Sequence, residues 1–161
     1  MKRIWAPWRI EYIKSEKSPE CIFCEMLKFG DDRKMLILER GETCFVVMNK
    51  FPYTNGHLIV APCEHTGDIA ALKAPVPAEM FAMIQKCVKV LKAVMKPHGF
   101  NIGLNLGLAA GAGVEDHLHF HIVPRWNGDN NFMPVLADCR TINEHLEETY
   151  LNLKEHFGTI E

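Results

Sequence analysis

The sequence predicts an α+β domain: a five-stranded, mostly antiparallel sheet with one long helix. Three observations predict it. Five short apolar runs are punctuated by Gly, Pro and Asn, as strands are. Between the third and fourth, Phe81, Ile84, Val88, Leu91 and Met95 recur at helical spacing. Within the fifth, polar and apolar residues alternate from His117 to Val123. The chain has 161 residues and is 48% hydrophobic, which suits one globular domain. It divides into an arm over 1–20, a domain over 21–135 and a C-terminal helix within 136–161.

The arm holds Trp5, Pro7 and Trp8 and then a charged stretch, without periodicity. Cys21 to Phe29 reads as a short helix ended by Gly30. Met35 to Glu39 and Cys44 to Met48 read as strands joined by a turn at Gly41. Asn49 to Asn55 is a loop, and His57 to Val60 a strand stopped by Pro62. Pro77 suits the first turn of the long helix, and Pro97 and Gly99 end it. Phe100 to Leu106 is the fourth strand, and Leu108 to Glu115 a Gly/Ala-rich loop. His117 to Val123 is the fifth strand, ended by Pro124. Thr141 to Phe157 reads as a helix with Thr141 as N-cap and Glu144 completing a capping box.

A formal net charge of -2 gives no electrostatic footprint for nucleic acid or an anionic membrane. No run approaches the roughly 18 apolar residues of a membrane span. Residues 1–12 lack the apolar core of a signal peptide, so a cytoplasmic location with reduced thiols is expected.

The functional signal is His117, His119 and His121, alternating with Leu118, Phe120 and Ile122. On a strand the three imidazoles share one face. A polar row there needs partners, because unpaired buried polar groups are costly. It suits a metal, an anion or nucleophilic and acid–base chemistry. A solvent-facing ladder and a metal site without chemistry are the bland alternatives. Cys21-x-x-Cys24 alone reads as a redox pair, half a zinc site or two unpaired thiols.

Several stretches together resemble the histidine-triad (HIT) family, in its diadenosine tetraphosphate phosphorylase-like branch. They are Trp5-Ala-Pro-Trp-Arg9, Cys21-Ile-Phe-Cys24, Asn49, Gly56-His57-Leu58-Ile59-Val60-Ala61-Pro62 and Asn105-Leu106-Gly107. Ala110-Gly111, His117 to His121, Pro124-Arg125-Trp126, Gly128-Asp129 and Asn131-Phe132 complete them. The resemblance implies the HIT fold, with a homodimer whose sheets join into ten strands. It implies a nucleotidyltransferase that cleaves dinucleoside polyphosphates through a nucleotidyl-histidine. Inorganic phosphate would be the acceptor, giving ADP and ATP from diadenosine tetraphosphate. A hydrolase acting on such polyphosphates or on nucleoside phosphoramidates is the alternative. A nucleotide-binding module without turnover is the alternative outside catalysis.

By the same resemblance His119 is the nucleophile, His121 supports the leaving group, and His57 assists or simply holds its loop. Asn49 would bind ribose hydroxyls. Gly111, Ala112 and Gly113 would hold the α-phosphate through backbone amides, with Asn105 and Trp126 at the phosphate end. Many relatives carry Gln, Ser or Thr near Ala112 and Gly113, and this chain has no side-chain donor there. Phe23 and Met48 are candidates for the base pocket, and both also suit a core role, as Trp126 does. A structural zinc ion is implied on Cys21, Cys24, His65 and His117, a closed tetrahedral set.

Overall fold

The computed structural model describes residues 20–129, 142 and 144–160. The expected arm, the Asn131-Phe132 motif and Thr141 lie outside the described residues. Helix α1 (Ile22–Phe29) ends at Gly30 in the left-handed region, φ 76°. A single-turn helix, α2 (Asp32–Met35), follows. Strands β1 (Ile37–Arg40), β2 (Cys44–Met48) and β3 (Leu58–Pro62) precede the long helix α3 (Val76–Met95). Strands β4 (Gly99–Gly103) and β5 (Phe120–Arg125) and helix α4 (Leu146–Phe157) complete the described chain. The sheet order is β1-β2-β3-β5-β4, and every pairing is antiparallel.

Strands β2 and β3 are buried at every position because helices cover both faces of the sheet. On one face Leu38, Val46, Met48, Leu58, Val60 and Ile122 meet α3 and α4. On the other, Ile37, Phe45, Val47, Ile59 and Ala61 meet Phe23 of α1. The register Val47↔Ile59↔His121 places His121 on the α1 face by strand alternation.

The structure corrects several sequence expectations. The first strand begins at Ile37, because Asp31 accepts from Lys34 N–H (3.1 Å) and caps α2. Leu36 then turns the chain through the left-handed region. Of the expected α3 stripe, Phe81 is 62% exposed. The buried row is Met80, Met83, Ile84, Cys87, Val90 and Leu91, one position off. The fourth strand stops at Gly103, whose partner is His121.

Only the second half of the histidine row is strand. Before Phe120 the chain leaves β4, and Leu118 N–H donates to Thr66 O (2.7 Å) in the loop after β3. Pro124 does not end β5, since Pro124 pairs with Phe100 and Arg125 with Gly99. The β3–β5 ladder ends at Leu58↔Ile122, and Pro124 O accepts from Thr54 Oγ1 (2.9 Å). A proline beside that gap forfeits no ladder hydrogen bond.

Helix α4 starts at Leu146, later than expected, with His145 as N-cap accepting from Glu147 N–H. Glu144, expected in a capping box, instead accepts from Asn55 Nδ2 (3.2 Å) and from Thr149 Oγ1. Arg125, Gly128 and Asp129 close a turn after β5. Asp129 binds Arg125 through two oxygens (2.5 and 2.7 Å) and accepts from Trp126 N–H (3.1 Å).

Candidate active site and metal centre

Four candidate ligands, two cysteines and two histidines, converge from three places in the chain. Cys21 and Cys24 lie at the start of α1, His65 follows β3, and His117 precedes β5. Their ligating atoms all fall within 4.8 Å of one another. His117 Nδ1 lies 3.3 Å from Cys21 Sγ and 3.7 Å from Cys24 Sγ, and His65 Nδ1 lies 3.4 Å from Cys24 Sγ. A tetrahedral zinc with ordinary Zn–S and Zn–N bonds sets its S and N ligands about 3.6 Å apart. His117 Nε2–H donates to Pro62 O (2.8 Å), which leaves the Nδ1 lone pair facing the sulfurs. That is how a metal-ligating histidine is ordinarily oriented. The four residues therefore fit a metal ion. The two loops that carry His65 and His117 close tightly, since a Cβ on Gly67 would sit 2.6 Å from Glu115 O.

His119 comes next in the row and is 6% exposed. Its Nδ1 lies 2.8 Å from His117 O. A carbonyl only accepts, so Nδ1 carries the proton and Nε2 presents a lone pair. The Phe23 ring lies 5.1 Å from the ring of His117 and 5.0 Å from that of His119. Phe23 itself is 2% exposed. It is the floor beneath both rings rather than an open wall for a base.

His121 and His57 form a directed chain. Asn49 Oδ1 accepts from Phe51 N–H (2.9 Å), which turns Asn49 Nδ2 toward His57 Nδ1 (3.2 Å). Tyr53 N–H donates to the same Nδ1 (3.2 Å). With two donors aimed at it, His57 Nδ1 accepts and the His57 proton sits on Nε2. That proton faces His121 Nδ1 at 2.9 Å. Neutral His121 must then carry its proton on Nε2. Burial first, and the electrostatic effect of neighbouring His119 second, push the His121 imidazole down to about 4, so it is neutral at pH 7. The His119 and His121 rings are 4.9 Å apart. An unprotonated Nε2 and a protonated Nε2 therefore sit on neighbouring rings. This is what a nucleophile paired with a fixed donor for a developing oxyanion requires.

The loop before the row takes a less open form than the sequence suggests. Gly111 N–H donates to Leu108 O (2.9 Å) and Ala112 N–H to Gly107 O (3.3 Å). Those two amides are committed within the loop, and Asn105 Nδ2 donates to Gly111 O (3.3 Å). Gly113 has open space around its Cα. The remaining expected residues lie elsewhere. Met48 packs in the core on the α3 face, and the sheet separates it from His121. Trp126 lines a cavity of about 200 Å³ with Asn55, Val94, Met95 and Asn152. Tyr53 was not foreseen: its ring lies 4.6 Å from His57 and 5.8 Å from His121. Nothing in the local sequence marks it, because it sits in a loop with no periodicity.

The HIT domain matches residues 32–128. The chain is 37% identical over 158 residues to the AP-4-A phosphorylase of Mycobacterium tuberculosis, covering 92% of this chain and 80% of that protein. It is 30% identical over 113 residues to an adenylylsulfatase of Arabidopsis thaliana, covering 68% of this chain and 54% of that protein. A crystal structure of a Zn-bound histidine triad family protein from Mycobacterium smegmatis is similar, with a TM-score of 0.70 at 28% identity. That match covers 86% of this chain and 94% of the other.

Proposed function

The chain belongs to the HIT domain family, and from that premise we propose that it is a nucleotidyl phosphorylase acting on dinucleoside polyphosphates. Diadenosine tetraphosphate and inorganic phosphate would give ATP and ADP. His119 Nε2 attacks the α-phosphorus, and a P–N bond forms. The P–O bond to the bridging oxygen breaks, and its electron pair leaves with ATP. His121 Nε2–H donates a hydrogen bond to that oxygen as charge develops. Because His121 is neutral, it stabilises the departing anion without needing to surrender its proton. The nucleotidyl-histidine is an imidazolium whose Nδ1–H stays bonded to His117 O. Phosphate then attacks the same phosphorus, the P–N bond breaks, and its pair returns to Nε2. Two accessible displacements replace one difficult one.

The observation that carries this reading is the pair of opposed tautomers on His119 and His121, each dictated by a hydrogen-bond partner. The name of the 37% identical relative supports the substrate class. Asn49 would meet ribose hydroxyls with whatever hydrogen-bonding capacity its His57 and Phe51 contacts leave. Gly113 would supply the phosphate contact that Gly111 and Ala112 have spent within the loop, with Asn105 holding that loop. We assign zinc to the Cys21, Cys24, His65 and His117 set. When bound, it ties α1 and the loop after β3 to the histidine row and takes no part in the displacement. We further infer a cytoplasmic homodimer joined through β4, which lies at the sheet edge with Ile102 exposed. No described helix is long and apolar enough to cross a membrane.

One observation favours a second reading. Ala112 and Gly113 offer no side-chain donor for an acceptor phosphate, and one relative is named an adenylylsulfatase. Water would then take the nucleotidyl group. Product analysis with diadenosine tetraphosphate, with and without phosphate, separates the two. We expect catalytic turnover to ADP and ATP only when phosphate is present, and no more than one equivalent of ATP per site without it. AMP and ATP formed regardless of phosphate would establish hydrolysis instead.

A further inference from the structure

Tyr53 meets the His57–His121 pair in two ways. Its backbone N–H donates to His57 Nδ1 (3.2 Å). Its ring lies over the same pair, tilted 39° to His57 and 30° to His121. Tyr53 is 46% exposed, so the residue that packs on the two histidine rings also meets solvent.

The segment that follows is anchored at each residue. Thr54 Oγ1 donates to Pro124 O (2.9 Å). Asn55 bonds to Glu144 (3.2 Å) and accepts from Thr149 Oγ1 (3.2 Å) at the start of α4. Gly56 has φ +75° and packs so closely on α3 that a Cβ would lie 2.4 Å from Met95 Sδ. Tyr53 is thus held by a rigid segment against the one hydrogen bond that decides the His121 tautomer.

We propose that Tyr53 is a positioning residue for leaving-group stabilisation: its ring shields the His57–His121 hydrogen bond from water and holds His121 with Nε2–H toward the departing oxygen. The inference rests on the phosphorylase reading for the identity of that oxygen. The physical reason is competition. Water reaching His121 Nδ1 would replace His57 as donor and free the ring to rotate or change tautomer. The donor would then no longer be preorganised, and preorganisation is the source of its effect.

The test compares two aryl esters of adenosine 5′-phosphate, one with nitrophenol and one with unsubstituted phenol. The phenolate carries more charge on the leaving oxygen and depends more on a donor. Tyr53→Ala should slow release of phenol at least about tenfold more than release of nitrophenol. KM should change little, and Tyr53→Phe should restore the wild-type ratio. Equal losses with both esters would overturn the proposal, because a merely structural role has no leaving-group dependence. Nitrogen-15 NMR of the free protein gives a readout that needs no turnover. We expect His121 as the Nε2–H tautomer in the wild type and in Tyr53→Phe, and a tautomer mixture in Tyr53→Ala. Unchanged His121 signals in Tyr53→Ala would also overturn it. Should the wild type cleave neither ester, the NMR arm alone decides the role of Tyr53; the phosphorylase reading itself fails only if diadenosine tetraphosphate and phosphate give no ADP.

Discussion

Replacing His119 with Asn lowers turnover of diadenosine tetraphosphate by at least about 10³-fold, while AMP affinity stays within about threefold. The substitution removes the Nε2 lone pair and the covalent step with it. An asparagine amide can still donate to His117 O, the contact that His119 Nδ1 makes at 2.8 Å. The loop geometry and the Phe23 floor should therefore persist. Steady-state kinetics gives the rate, and calorimetric titration with AMP gives the affinity. A rate loss below about tenfold would mean that another group attacks. Equal loss of binding and rate would mean that His119 holds the nucleotide rather than reacting with it.

Replacing Cys24 with Ser empties the metal centre and lowers the melting temperature by on the order of 10 °C. Cys24 Sγ faces both His65 Nδ1 (3.4 Å) and His117 Nδ1 (3.7 Å), so its loss breaks the set at its middle. Activity should fall as well, though less than in His119→Asn. His117 turns its Nδ1 to the cluster while its carbonyl holds the nucleophile, and Phe23 lies between the two cysteines against both rings. Elemental analysis of untagged protein should find about one zinc per chain in the wild type and less than about 0.2 in the variant. Equal melting temperatures would mean that the four residues hold no stabilising ion.

Strands β2 and β3 were legible in the sequence because both faces are covered, and the apolar runs are unbroken. The long helix was legible from its period, yet the stripe was centred one position off, and Phe81 faces out. Element ends were harder. Asp31 looks like any turn residue until its carboxylate accepts from Lys34 N–H, and His145 gives no sequence signal as an N-cap. The alternation from His117 to Val123 marks the histidine row but not where the ladder ends. Period two persists in extended chain whether or not a neighbouring strand is present. Pro124 misled in the opposite direction, since its missing donor matters only where a partner strand lies.

The metal set was legible only with the family resemblance, because Cys21 and His117 are 96 residues apart. The tautomer chain was not legible at all. It depends on which way the Asn49 amide turns, and the backbone N–H of Phe51, two residues on in the same loop, decides that. The same holds for Tyr53, whose role comes from ring placement and not from any pattern along the chain.

Nucleotidyl transfer through His119 is tested by the covalent state of His119 itself. Wild-type protein should be mixed with diadenosine tetraphosphate without phosphate, quenched at alkaline pH within one turnover, and digested for mass spectrometry. One adenylyl group is expected on the peptide spanning His117 to His121, localised to His119 and discharged as ADP when phosphate is added before the quench. Products formed with no adenylylated peptide, or an adduct on His121 or His57, would contradict it.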